Sequence, residues 1–390
     1  MTNFEFLVPT KIIFGQDTEN TVGSRVKEYY GGKILLHYGG SSAERSGLLA
    51  RVRKSLDDAG VEYKELGGVM PNPRLTLVHE GVELCRKEGI GFILAVGGGS
   101  AIDSSKAIAM GVPYDGDVWD FYCGNAAPKT ALPVATVLTI PAAGSESSPS
   151  TVITNELTGR KYGCTNELTR PVFSIMNPVL TYTLPAYQTA CGAADIMAHI
   201  MERYFTNEQG VDFTDRLCEA GLKTIIVNVP KVLENPGDYA SRANVMWAGA
   251  VAHNGLFGTG RTEDWASHGI EHELSAMYDI AHGAGLAIIF PAWMRYVMEN
   301  NVMRVAQFAN RVWDVSMNFE NPAETALGGI KCLKNFFKSI GLPTSLSEAG
   351  IDDSAIAEMA QKCTGNDSFT VGGFAKLTAN DVYEIYKLAL

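Results

Sequence analysis

In the stretch DIMAHIMERYF, residues 195–205, an aspartate and a histidine stand four positions apart within a hydrophobic run. On a helix, positions i and i+4 share a face one turn apart, so Asp195 and His199 would point the same way. A second stretch, ASHGIEHELSAMYDIAHG (266–283), repeats that spacing with His268 and His272, and adds His282 just beyond a break in the helical pattern. Imidazole is an intermediate ligand and carboxylate a hard one, so an aspartate with several histidines suits Zn²⁺, Fe²⁺ or a similar divalent ion. Coordination positions left open would admit a substrate oxygen. His253, taken alone, reads as an ordinary core histidine.

The second chemical feature is FILAVGGGSAIDSSKAIAM (92–110), which sets Gly97, Gly98, Gly99 and Ser100 between a buried strand and a helix. Glycines let the backbone approach a ligand, and the start of the next helix offers unpaired N–H groups and partial positive charge to a pyrophosphate. The spacing matches neither Gly-x-Gly-x-x-Gly nor the Walker pattern. A plain strand-to-helix turn, with Ser100 as N-cap and Asp103 closing a capping arrangement, is the alternative. Another small-residue turn, TIPAAGSES (139–147), also follows a β-like run, so two loops could converge at the sheet's C-terminal edge. The first strand ends in HYGGSS (37–42), where dinucleotide-binding sheets often carry an acid that holds the ribose and repels a 2′-phosphate. None stands among Gly39, Gly40, Ser41 and Ser42. This favours NADP(H) over NAD(H), with an ordinary turn as the other reading.

These residues need elements to position them. Short apolar runs alternate with amphipathic ones over the first 180 or so residues: KILLHY (33–38), a helix over 44–59, VEYKEL (61–66), a helix over 75–88 and GFILAV (91–96). That alternation predicts βαβ units around a parallel sheet buried on both faces. Further β pattern lies in ALPVATVLTI (131–140), STVITNE (150–156) and PVFSIM (171–176). Beyond about residue 184 the pattern turns helical, with segments near 186–206, 212–228, 241–257, 264–277, 283–299, 301–315, 324–339 and 354–363. The expected organisation is an α/β dinucleotide-binding domain over 1–183 and an all-helical metal-binding and substrate domain over 184–390.

The composition narrows the function. At 390 residues the chain exceeds what one core usually serves, and 46% hydrophobic against 19% charged residues is a globular mixture. No apolar run reaches the roughly 20 residues of a membrane span. The opening MTNFEFLVPTKIIFG lacks the pattern of a secretion signal, so the cytoplasm is expected. Seven cysteines stand singly, without a Cys-x-x-Cys pair, which argues against a disulfide framework or a thiolate zinc site. A net charge of −11, with no basic stripe, disfavours a nucleic-acid partner.

With these residues in view, the chain resembles the iron-containing alcohol dehydrogenase family, in its butanol-dehydrogenase-like and aldehyde-reductase-like branch. The likeness runs nearly end to end, through FGQDTE, GGGSAIDSSKAIA, LTIPAAGSESSPSTVIT, NPVLTYTLPAYQTACGAADIMAHIMERY and DWASHGIEHELSAMYDIAHGAGLAI. The resemblance implies metal ligands at Asp195, His199, His268 and His282, with Fe²⁺ as the expected ion and Zn²⁺ as the other choice. It places His272 near the reacting carbon and the nicotinamide. It extends the cofactor set from Gly97, Gly98, Gly99 and Ser100 to Asp103, Thr139 and Lys161. Two departures stand out: Gly39-Gly40-Ser41-Ser42 where the branch commonly has Gly-Gly-Gly-Ser, and Ala143 where Thr is usual.

The implied reaction interconverts a primary aliphatic alcohol and its aldehyde, with a small molecule as substrate and a homodimer as the assembly. A polyol dehydrogenase of glycerol or propanediol type is the nearest alternative. A dehydroquinate-synthase-like lyase would need a basic pocket that the metal-side segments lack. A purely structural metal in a nucleotide-binding protein would not need open coordination positions. Trp119, Phe121, Tyr122, Phe257 and Trp265 are candidates for an apolar pocket wall, and equally for core.

Overall fold

The structure, a computed structural model, describes residues 1–390. The chain forms two compact units, Leu7–Leu184 with Pro236–Ala250, and Met1–Phe6 with Pro185–Asn235 and Val251–Leu390. The chain therefore passes between the units more than once, where its change of texture near residue 184 suggests a single passage. No helix is long and apolar enough to cross a membrane.

The first unit is built on eight strands: β1 (Lys11–Phe14), β2 (Ile34–Gly39), β3 (Tyr63–Val69), β4 (Ile93–Gly97), β5 (Val134–Leu138), β6 (Ser150–Asn155), β7 (Arg160–Thr165) and β8 (Phe173–Met176). Six of them make one sheet in the order β1-β8-β5-β4-β2-β3, with every pairing parallel. The remaining two, β6 and β7, pair as an antiparallel hairpin. Strand residues alternate between two cores. Ile34, Leu36, Leu94 and Val96 pack on one face, and Leu35 and Ile93 on the other. Each such side chain, fully removed from water, contributes roughly 1.5–3 kcal/mol. That two-sided burial is why the strands read as continuous apolar runs.

The strand order sets the location of a ligand site. After β2 the chain goes out to the edge at β3, then returns to β4 on the opposite side of β2. The C-terminal ends of β2 and β4 thus flank a switch in strand order, the place where open α/β sheets bind ligands. Both glycine turns singled out from the sequence, Gly39–Ser41 and Gly97–Ser100, stand at those ends.

The second unit is helical, with long helices over Ala186–Tyr204, Asp212–Glu234, Ala266–Tyr278, His282–Val297, Val302–Trp313 and Pro322–Ser339. Several boundaries differ from the sequence reading. The helix expected over 44–59 is two, Ser42–Arg45 and Leu48–Asp58, broken where Gly47 turns left-handed. The helix expected to end at 228 continues to Glu234, past Pro230. β1, β7 and the closing helix Ala379–Leu388 have short or weakly patterned sequences and were not anticipated.

One polar residue interrupts the apolar run of β2. His37 is fully buried, its Nδ1 2.7 Å from the Leu66 carbonyl on β3 and its Nε2 2.9 Å from the Ser104 hydroxyl on helix Gly99–Gly111. Burial lowers its pKa from 6.5 to about 4, despite the Leu66 carbonyl pulling the other way. The unfolded chain therefore binds a proton between pH 6.5 and 4 that the folded chain does not, and stability falls as pH drops through that window. The shift corresponds to about 3 kcal/mol. Urea midpoints measured at pH 7 and pH 4.5 should show this loss, and His37→Gln should be less stable at pH 7 but distinctly less sensitive to acid; an equal acid response in the variant would contradict the assignment.

Candidate metal centre and dinucleotide loops

Asp195 and His199 occupy successive turns of the Ala186–Tyr204 helix and are both buried, with His199 Nε2 3.4 Å from Asp195 Oδ1. His268 belongs to the Ala266–Tyr278 helix and His282 opens the next, His282–Val297. Their Nε2 atoms lie 3.9 and 3.8 Å from the same Asp195 Oδ1. Asp195, His268 and His282 present ligand atoms all within 4.8 Å of one another, and His199 joins them through Asp195. The structure thus gathers all four expected ligands around one carboxylate oxygen. Gly283 permits this approach, because a Cβ there would fall 1.9 Å from the Cys191 carbonyl oxygen of the neighbouring helix.

The outer nitrogens are held as well. Glu202, fully buried, has Oε1 2.8 Å from His268 Nδ1 and accepts the backbone N–H groups of Trp265 at 2.8 Å and His268 at 3.0 Å. It therefore fixes the start of the helix and the ring on it together. Trp265, whose backbone is left-handed at φ 68°, is further held by its indole N–H on Glu263 and by Arg203 over its ring. Glu271, also fully buried, contacts His282 Nδ1 and accepts the Ser275 hydroxyl. Carboxylates in these positions fix ring orientation and tautomer and make the facing nitrogen more basic.

These contacts decide which kind of guest fits. With Nδ1–H directed to a glutamate, His268 and His282 turn lone pairs on Nε2 toward Asp195. Asp195 Oδ1 and His268 Nε2 are buried without a hydrogen-bond partner. Acceptors facing one another in a buried site call for a cation, and the donor set of one carboxylate and three imidazoles suits zinc or ferrous iron. The same carboxylates act on His268: burial lowers its pKa, but Asp195 and Glu202 outweigh it and raise it to about 9. His199 behaves oppositely, held well below the usual histidine value by burial and by the imidazoles of His253 and His268.

His272 lies beside this group, its ring 5.6 Å from that of His282 and 6.5 Å from that of His268. It is only partly buried, unlike His268 one turn earlier. Trp265 packs against the rings of His199 and His268, whereas Trp119, Phe121 and Tyr122 belong to the sheet unit.

In the sheet unit, Gly97 ends β4, and Gly98, with extended backbone, is the N-cap of the Gly99–Gly111 helix. Ser100 thus lies inside the first turn, so the capping alternative is not what the chain adopts. A Cβ on Gly98 would come 3.1 Å from that of Ile140, so glycine lets the second loop pass close over the first. The Thr139 N–H donates to the Gly97 carbonyl at 3.0 Å, joining the two loops directly. The Asp103 carboxylate accepts the Ser145 hydroxyl at 2.5 Å and the Val152 N–H at 2.9 Å. Lys161 is buried on β7. Gly39, Gly40 and Ser41 form the turn between β2 and the short helix Ser42–Arg45.

Three residues that sequence reasoning passed over support these sites. Glu202 and Glu271 stand three residues after a histidine and one before, a spacing that carried a signal once the histidines were chosen. Lys106, fully buried, donates to the carbonyls of Ser145, Ser148 and Ser150 at 2.7–2.8 Å and so ties the second loop to the helix. Burial brings its pKa down to about 8.

Comparison with known proteins shows the family of the chain. The sequence model of the iron-containing alcohol dehydrogenase family matches residues 9–178, and that of the C-terminal part of the same family matches 189–390. The chain is 44% identical over 390 residues to the probable NADH-dependent butanol dehydrogenase 1 of Bacillus subtilis, with all of both chains covered. It is 36% identical over 392 residues to the NADPH-dependent aldehyde reductase YqhD of Escherichia coli, again end to end. The crystal structure of NADH-dependent butanol dehydrogenase A from Thermotoga maritima superposes with a TM-score of 0.96 at 41% identity, covering 100% of this chain and 99% of that one. Two family sequence models together spanning most of the chain, and full-length relatives well above 30% identity, establish that this protein belongs to the iron-containing alcohol dehydrogenase family.

Proposed function

We propose that the protein interconverts primary aliphatic alcohols and aldehydes of about the size of butanol and butanal, using a divalent metal ion and a nicotinamide dinucleotide. The observation that carries this reading is the buried, partnerless Asp195 Oδ1 faced by the Nε2 atoms of His199, His268 and His282. These four residues would hold the ion, Fe²⁺ by family habit or Zn²⁺ by ligand chemistry. When bound, the ion supplies a Lewis acid for the substrate oxygen and the dinucleotide supplies or accepts a hydride.

The chain's own residues do the rest. Glu202 and Glu271 keep the rings of His268 and His282 turned so that a lone pair, not an N–H, faces Asp195. The backbone at Gly97, Gly98, Gly99 and Ser100, at the positive end of the Gly99–Gly111 helix, receives the pyrophosphate. Thr139, Lys161 and Asp103 complete that site, with Asp103 also fixing the second loop through Ser145 and Val152. His272, partly exposed beside His282, carries the proton to and from the alcohol oxygen, since imidazole titrates near neutral pH.

The Gly39–Ser41 turn receives the adenosine end. Glu44, the nearest acid after it, is drawn away to Arg53 at 2.9 Å, so no free carboxylate is directed at a 2′-phosphate. This supports use of NADPH and is our ground for preferring it, although relatives that carry NADH in their names show that NADH is equally compatible with the family. The resemblance also supports a homodimer working in the cytoplasm on a small-molecule substrate, without nucleic acid or membrane.

The direct test follows aldehyde-dependent cofactor oxidation by absorbance, with butanal and either NADPH or NADH. Chelator-stripped protein should be inactive and should recover on addition of Fe²⁺ or Zn²⁺. Full activity without metal, or turnover confined to polyols, would overturn the proposal. His272→Ala should lower kcat about 10²–10⁴-fold while metal content stays at the wild-type level; loss of the bound ion in that variant would mean that His272 is a ligand.

A further inference from the structure

The turn that ends β2 borders an ion-pair network whose parts come from four elements of the sheet unit. Tyr38, the residue before Gly39, donates its hydroxyl to Glu65 Oε2 on β3 at 2.9 Å. Gly67 gives the Tyr38 ring its place, because a Cβ there would fall 2.5 Å from the ring. Glu65 in turn accepts Nε and Nη2 of Arg53, on the Leu48–Asp58 helix, at 2.9 Å each. Two bonds of this kind fix the plane of a guanidinium, and the Arg53 guanidinium holds the Glu65 carboxyl below the usual carboxylate range. The remaining Arg53 Nη1 donates to both oxygens of Glu44, on the short helix Ser42–Arg45, at 2.9 Å.

Glu44 stands just after the Gly39–Ser41 turn, and its side chain is 54% exposed. In sheets of this kind an acid near the end of such a strand accepts the ribose hydroxyls of NAD and repels the 2′-phosphate of NADP. The chain thus carries an acid close to the selecting position, with its charge compensated by Arg53. Arg51 and Lys54, the other basic residues of the Leu48–Asp58 helix, are engaged by Glu19 and Asp58, so neither is at hand to replace Arg53. An exposed ion pair adds little to stability. It is nevertheless enough to decide where a carboxylate stands, and a like charge beside a phosphate discriminates between two ligands that differ only in that phosphate.

We propose that Arg53 is a positioning residue for cofactor choice: fixed by Glu65 and Tyr38, it keeps the Glu44 carboxylate off the adenosine ribose and so admits a 2′-phosphate without touching it. This rests on the dinucleotide site proposed above and names the residue that sets its selectivity. Loss of the Arg53 guanidinium leaves Glu44 a free carboxylate beside the turn, which moves the site toward NADH.

The test is fluorescence titration of the full chain with NADPH and with NADH, alongside kcat/KM for both with butanal, in the wild type, Arg53→Met, Arg53→Gln, Glu44→Gln and Arg53→Met combined with Glu44→Gln. In either Arg53 variant the affinity for NADPH relative to NADH should fall about tenfold at low salt, and the loss should shrink in about 1 M salt, where exposed charges are screened. Glu44→Gln alone should leave the ratio within about twofold of wild type, and the double variant should return to it, since no carboxylate remains to be released. A ratio unchanged in either folded Arg53 variant would overturn the inference and leave the dinucleotide site standing. A loss that persists in the double variant would overturn it too, because Arg53 would then be reading the phosphate itself. No binding of either nucleotide to the wild-type chain would overturn both.

Discussion

A carboxylate oxygen with no hydrogen-bond partner, buried among imidazole lone pairs, is an arrangement that a protein interior does not tolerate without a positive charge. Asp195 Oδ1 is in that position, and much of the helical unit is arranged around it. Asp195 and His199 come from one helix, His268 from a second and His282 from the first residue of a third, so three backbones must be fixed before four side chains can meet. The glycine at 283 lets the third of these helices close on the first, and the buried glutamates at 202 and 271 orient the rings. Cation site and hydrogen-bond network therefore form one electrostatic unit, in which Asp195 and Glu202 raise the pKa of His268 against the effect of its burial.

The sheet unit answers a different demand. Its strands are apolar on both faces, and the polar work is confined to strand ends at a switch in strand order. The two loops at those strand ends are tied in place by contacts of their own. Thr139 is hydrogen-bonded to Gly97, Asp103 holds Ser145 and Val152, and the buried ammonium of Lys106 collects three carbonyls of the second loop. Charge buried here organises backbone, whereas charge buried in the helical unit organises ligands.

The parallel sheet and the helical texture beyond residue 184 were legible because hydrophobic periodicity is a local signal. The i, i+4 pair Asp195 and His199, and the histidines of 266–283, were legible for the same reason. What could not be read is what depends on contacts distant in sequence. Glu202 meets His268 across 66 residues, and Lys106 meets the Ser145–Ser150 loop across about 40. His253 is buried, as a core histidine would be, but nothing near it in the chain announces its contact with His199, 54 residues away. Ser100 was a sound N-cap on residue type alone, but the N-cap stands two residues earlier, at Gly98, which takes the extended conformation, and the helix begins at Gly99.

The most direct measurement is the metal content of the chelator-stripped protein after reloading with Zn²⁺ or Fe²⁺ and removal of excess, in the wild-type chain and in Asp195→Asn. The account predicts one tightly held ion per wild-type chain and none in the variant, whose fold should survive because the lost group is the one that had no hydrogen bond to lose. Stoichiometric metal in a folded Asp195→Asn protein would contradict it.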